Sequence, residues 1–227
     1  MGLFRSVIFT LILFWSLALY GQNTKSYISF ESGVTMPYDL FANKIMGGYS
    51  GFANNGFHVN LQKGSYSRYF FYNLFAGYNI MSFDNKSLED DYNKNAGLIN
   101  EIKVTTTGNY HLFQGLLRFG IKTPEIKKKI AIFANVGTGY ARASIPKHQA
   151  YLAEYGYLRN TKPASGGTVL FTTGLMAYYN IDPFSAFSIS FNRSSANFIF
   201  KSLGSIDFQI YELSIGYIIQ LGNKNEK

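Results

Sequence analysis

The segment Phe208–Leu221 limits what this chain can fold into more than any other stretch. From Tyr211 the odd positions read Tyr211, Leu213, Ile215, Tyr217, Ile219 and Leu221, and the even ones Glu212, Ser214, Gly216, Ile218 and Gln220. A period of two sustained over eleven residues describes a strand with one apolar or aromatic face and one small or polar face. Strands in water-soluble proteins average about 5–6 residues, whereas a strand tilted across a hydrocarbon layer needs about 9–11. The segment therefore reads as the closing strand of a small transmembrane β-barrel.

The start of the chain fits export. Arg5 supplies a positive charge, Val7–Leu19 is an apolar run, and Ala18-Leu-Tyr-Gly-Gln22 brings small residues before a polar stretch. This is the pattern of a cleaved secretory signal over residues 1–22, cut after Gly21 or Gln22, with a single domain over residues 23–227. Removing Arg5 with the signal leaves 20 basic and 13 acidic residues. The chain has no Cys, so an exported domain must be held by its hydrogen-bond ladder and packing alone.

Seven further strands precede the last. Alternation places them over Tyr27–Met36, Gly56–Lys63, Arg68–Met81, Thr107–Lys122, Ile130–Ala143, Thr168–Ile181 and Ser185–Ile199. The connections between the eight strands run long, short, long, short, long, short, long, with Ser82–Thr106 and Ile145–Gly166 expected as polar loops. The fold class is thus all-β: an eight-stranded, antiparallel, up-and-down transmembrane barrel. Its turns lie on the periplasmic side with both termini, and its long loops lie outside.

Gly-Tyr recurs at Gly77-Tyr78, Gly139-Tyr140 and Gly216-Tyr217, with Gly inside and Tyr outside each time. Tyr78 and Tyr140 are expected near the external rim and Tyr179 and Tyr217 near the periplasmic one, as two aromatic belts. An exported chain with eight long strands, repeated Gly-Tyr and the terminal Glu212–Leu221 resembles the bacterial outer-membrane β-barrel domain families. Within them it resembles the PorT-like proteins and the small OmpA- or OmpX-type barrels. The resemblance implies an outer-membrane location in a Gram-negative bacterium. It also implies contact with outer-membrane lipid and lipopolysaccharide, and a protein partner at the external loops. The chain departs from many such barrels in carrying a six-residue polar tail after Leu221.

Little in the sequence points to chemistry. The three His, at positions 58, 111 and 148, show no His-x-Ser pairing of a lipid hydrolase, and Glu89-Asp-Asp91 lacks the glycine turn and later Glu of a calcium loop. No catalytic, cofactor or metal set is expected, and Lys and Arg are too dispersed for nucleic acid. Three functions remain: a structural or interaction barrel working through its external loops, including as an accessory of a secretion or transport assembly; a small pore or transporter; and a soluble lipocalin-like ligand binder. About eight strands leave an interior that side chains fill, which favours the first. Alternation sends Glu31, Arg118 and Glu212 inward, and a buried unpaired charge is costly. Arg118 is therefore expected to pair with Glu31, Glu212 or both, in a lumenal network with Gln114, Asn73 and Asn135.

Overall fold

The computed structural model describes residues 24–44, 51–97, 101–127, 129–152, 156–200 and 204–221. The expected signal segment and the polar tail lie outside them. In chain order the elements are β1 (Lys25–Pro37), α1 (Asp39–Ala42), β2 (Ala53–Tyr66), β3 (Phe70–Phe83), α2 (Asn85–Ala96), β4 (Ile102–Thr107) and β5 (Tyr110–Lys122). They continue as β6 (Ile130–Ile145), β7 (Lys147–Leu152), β8 (Gly156–Thr161), β9 (Ala164–Asp182), β10 (Ser185–Phe200) and β11 (Gly204–Leu221).

Eight of the strands close into an antiparallel barrel in the order β1-β11-β10-β9-β6-β5-β3-β2. The seam joins β1 to β11, from Ser26 opposite Leu221 to Pro37 opposite Ile210. Closure staggers the register. A path through paired residues from Tyr179 passes Phe187, Tyr217, Phe30, Leu61, Ala76, Gly115 and Tyr140, and returns to β9 at Val169, ten residues from its start. Eight strands with that stagger tilt by about 40° and stand about 8 Å from the barrel axis. Each residue then climbs about 2.5 Å along the axis.

The strands wear their apolar face outward. Leu74, Val136, Phe171 and Ile215 are each more than 60% exposed, whereas Asn73, Asn79, Gln114 and Asn192 are buried inside. A soluble lipocalin-like barrel needs the opposite arrangement, so the alternation and strand lengths have the physical meaning of a lipid-facing wall.

The interior is stacked in layers. At the end that carries both termini and the short turns, the one expected to be periplasmic, Tyr27, Tyr66, Phe71, Phe133, Met176 and Tyr178 form an apolar cluster. Above it lies a polar layer, and the external half is filled by Leu112, Leu116, Leu170, Phe198, Phe208 and their neighbours. Phe41 of α1 belongs to this upper cluster. It stacks on Phe208 with centroids 4.0 Å apart and meets Tyr110 edge-on at 5.2 Å. Tyr110 in turn donates its hydroxyl to the Gly51 carbonyl.

The two long connections expected as polar loops carry structure. β4, β7 and β8 form a separate three-stranded sheet, which joins the second and third external connections. α2 covers it, and Leu88, Ile102, Val104, Ala150, Leu152 and Phe52 make a small core of their own. The sequence of α2 is almost wholly polar, so hydrophobic periodicity is silent there. Its ends were the readable signal: Asp84 accepts from the Ser87 amide at 3.0 Å as N-cap, and Gly97 closes the helix at φ 67°. Asn93 then clamps β4, accepting from the Ile102 amide at 2.9 Å and donating to its carbonyl at 3.1 Å.

Candidate functional site: a closed lumenal polar layer

Glu31, Asn73, Gln114, Arg118, Asn135 and Glu212 are all buried in the barrel interior. Inward-facing glycines make room for the longest of them. Glu31 faces Gly216, Gln114 faces Gly77 and Arg118 faces Gly137 as register partners. A Cβ on Gly216 would lie 2.6 Å from Glu31 Cγ, and one on Gly137 2.7 Å from Arg118 Cγ. The Gly of Gly77-Tyr78 and Gly216-Tyr217 is thus a cavity for the side chain across the ladder, and the following Tyr points outward by the pleat.

The direct ion pair expected for Arg118 is not formed. Neither Glu31 nor Glu212 makes a salt bridge to it; among the described residues the salt bridges are Lys44–Asp84 and Lys122–Glu125. The Arg118 guanidinium instead lies over the Phe75 ring, 3.6 Å from its centroid. Glu31 is met by neutral donors from β10, Ser190 at 3.0 Å and Ser188 at 3.5 Å, and Glu212 by Gln114 Nε2 at 2.9 Å. Phe75 comes from the strand next to Arg118, whereas the carboxylates are taken by neutral donors from further round the ring, Glu31 by serines two strands away and Glu212 by Gln114 across the lumen. Both carboxylates still lie within Coulombic reach of the guanidinium.

Asn73 donates to the Tyr27 hydroxyl at 2.9 Å and to Gln62 Oε1 at 2.8 Å, tying the polar layer to the periplasmic cluster. Asn135, opposite Gly120, is buried in the lumen as expected, but its Oδ1 accepts no hydrogen bond among the described residues, so it is not tied into the network.

Sequence reasoning missed one chain of contacts. His58 Nε2 lies 2.7 Å from Ser214 Oγ, its Nδ1 lies 3.0 Å from Thr35 Oγ1, and Thr35 donates to Asn79 Oδ1 at 2.5 Å. Since the Thr35 proton is committed to Asn79, His58 donates from Nδ1 and accepts the Ser214 proton at Nε2. That is the hydrogen-bond order of a nucleophile and its base, but no carboxylate orients the ring. All four side chains are buried between the two apolar clusters, so no substrate reaches Ser214. The partners come from four strands 21 or more residues apart in sequence, which is why no local motif reveals them. Among the described residues no three His, Asp or Glu gather as a metal site.

On the outer wall the belt tyrosines separate by height. Tyr78 and Tyr140 sit about 20 Å above Tyr179 and about 15 Å above Tyr217 along the axis, given the registers and tilt. Tyr140, Tyr179 and Tyr217 are exposed, while Tyr78 is half-buried, with its hydroxyl 2.6 Å from His111 Nδ1.

No family model and no curated protein sequence matches the chain. Among solved structures it is similar to NspA, the Neisserial surface protein A, at a TM-score of 0.51 and 8% identity, covering 88% of this chain and 100% of that one. A major outer membrane protein from Thermus thermophilus matches at a TM-score of 0.49 and 10% identity, over 86% and 99% of the two chains. Ail, the attachment invasion locus protein of Yersinia pestis, matches at 0.40 and 10% identity, over 88% and 99%. The likeness is one of fold, that of the small outer-membrane β-barrels, and it does not single out the PorT-like proteins.

Proposed function

We propose that the protein resides in the outer membrane of a Gram-negative bacterium and acts there as a structural and interaction barrel through its external surface. The observation that carries this reading is the interior: among the described residues a packed polar layer lies between two apolar clusters, which supports a lumen without a continuous water path. What remains available to partners is the outer wall and the external cap of α2, β4, β7 and β8. The wall suits lipid, with an apolar band bounded by Tyr78 and Tyr140 above and Tyr179 and Tyr217 below. The cap suits a surface protein, lipopolysaccharide or a neighbouring secretion or transport assembly. The buried Ser214–His58 pair acts in this reading as a structural bond.

Two measurements test it together. Membrane fractionation with a heat-modifiability gel should recover the protein in the outer membrane, migrating differently before and after boiling. The purified barrel should be silent in a planar bilayer. Recovery from the soluble periplasm, or steady single-channel conductance, sinks the reading and promotes the ligand-binding or pore alternative respectively.

A further inference from the structure

The end of the barrel away from the cap holds a second polar feature, below the lumenal layer. A concavity of about 360 Å³ opens there between the β2–β3 and β5–β6 turns, with Lys25, Arg68, Lys122 and Glu125 around it and Tyr66 and Ser67 in its wall. Three cations thus share one hollow with one carboxylate.

Lys122 is the built element. It is only 6% exposed, and its ammonium sits 5.1 Å from the Tyr66 ring centroid and 5.9 Å from that of Tyr178, held as a cation over aromatic faces. Its contact with Glu125 is long, at 3.4 Å, because the same Glu125 oxygen accepts the Tyr178 hydroxyl at 2.7 Å. Burial pushes the Glu125 carboxyl up, but the Tyr178 hydrogen bond and the Lys122 and Lys25 charges outweigh it and hold the group below the usual carboxylate range. Glu125 is therefore ionised at neutral pH and balances one of the three cations. Lys25 and Arg68 form no ion pair among the described residues, although Arg68 rests on the Tyr69 ring at 5.2 Å. Exposed Lys127 and Lys129 in the adjoining turn add to the positive field.

We propose that this mouth binds a phosphate group, seated between Lys25, Arg68 and Lys122. A net excess of two positive charges matches a phosphate, and a guanidinium fork beside two ammonium point charges is a donor set for its oxygens. The hollow is larger than a phosphate ion alone, and its Tyr66 and Pro124 wall accommodates an ester substituent. The phosphate comes either from a phospholipid headgroup of the adjoining leaflet or from a soluble phosphate ester. The lipid source rests on the membrane placement proposed above, whereas binding of free phosphate does not.

The test uses the folded mature barrel in two settings. In detergent micelles, inorganic phosphate is titrated and followed by ³¹P NMR. In nanodiscs of phosphatidylcholine doped with phosphatidylglycerol, retained lipid is read by native mass spectrometry. The comparison protein is the double variant Lys25→Gln/Arg68→Gln, whose changes lie at exposed positions and whose folding is checked by gel mobility; Lys122→Met is the second variant. Wild type should bind at least one probe about tenfold more tightly than the double variant, with an affinity that falls as salt rises. Binding of inorganic phosphate assigns a soluble ester; selective retention of phosphatidylglycerol alone assigns the headgroup. Equal binding of both probes by wild type and the double variant overturns the proposal, whatever fractionation shows about location. Phosphate binding by a protein recovered outside the membrane would overturn the membrane reading alone.

Discussion

Glu31 stands directly opposite Gly216 across the seam where the first and last strands close the barrel. The carboxylate side chain fills the space that any Cβ at position 216 would need, 2.6 Å from Glu31 Cγ and 2.8 Å from Ser188 Oγ. Because β1 and β11 are the first and last strands, this pair fixes register at the contact with the greatest sequence separation. Gly216→Ala should therefore destabilise the barrel by about 1–3 kcal/mol, the usual cost of overpacking. Urea unfolding in lipid vesicles, read as loss of the fast-migrating gel band, measures it. Gly115→Ala is the control, since a Cβ there meets nothing within 4 Å; equal losses would remove the steric argument.

Among the described residues Arg118 is the only cation in the polar layer that holds Glu31 and Glu212. Replacing it with Ala removes both the Phe75 stack and the charge that acts on two buried carboxylates. The expected loss is about 3–5 kcal/mol, typical of an uncompensated buried charge. A triple variant, Arg118→Met with Glu31→Gln and Glu212→Gln, should recover much of it. If Arg118→Ala alone unfolds at the wild-type urea concentration, the charge in this layer is hydrated rather than held by the protein.

Phe41 seals the external end, but two further layers lie beneath it. Phe41→Ala should cost about 3–5 kcal/mol through its lost aromatic contacts. The variant should nonetheless stay silent in a planar bilayer, because the polar layer and the Tyr27–Tyr66–Phe133 cluster remain. Conductance appearing in this single variant would place the whole seal in α1.

The external cap should respond to acid through Asp84. Burial raises this carboxyl, but hydrogen bonds from Ser87 and the Lys44 ammonium, 3.2 Å away, outweigh that and leave it below the usual range. A depressed folded-state value means that the stabilisation is complete above the unfolded pKa of about 3.9 and is lost as pH falls through the folded value. Amide NMR signals of α2 should therefore hold at pH 6 and weaken below about pH 4. Asp84→Ala should cost about 0.5–2 kcal/mol of local helix stability at neutral pH and abolish the acid step.

The barrel strands were legible because the bilayer imposes a length and a period on each one separately. Phe208–Leu221 alternates whether or not its neighbours are known, and so do Phe70–Phe83 and Ser185–Phe200. Inward placement of Glu31, Arg118 and Glu212 followed from the same local rule. The external cap was harder to read for the converse reason: α2 is nearly all polar and signalled only by its end caps, and β4 alternates over Ile102 and Val104 alone, a run too short to separate from a loop.

By itself, then, the sequence determined the fold class, the number of barrel strands and which residues share a face of each, since these depend on the alternation within one segment. Only the tertiary structure decided which inward groups touch. Arg118 meets Phe75 rather than a carboxylate, Ser214 meets His58 from 156 residues away, and Lys25, Arg68 and Lys122 gather at one mouth. Those contacts depend on the stagger with which eight strands close, and that stagger is a property of the ring and of no single strand.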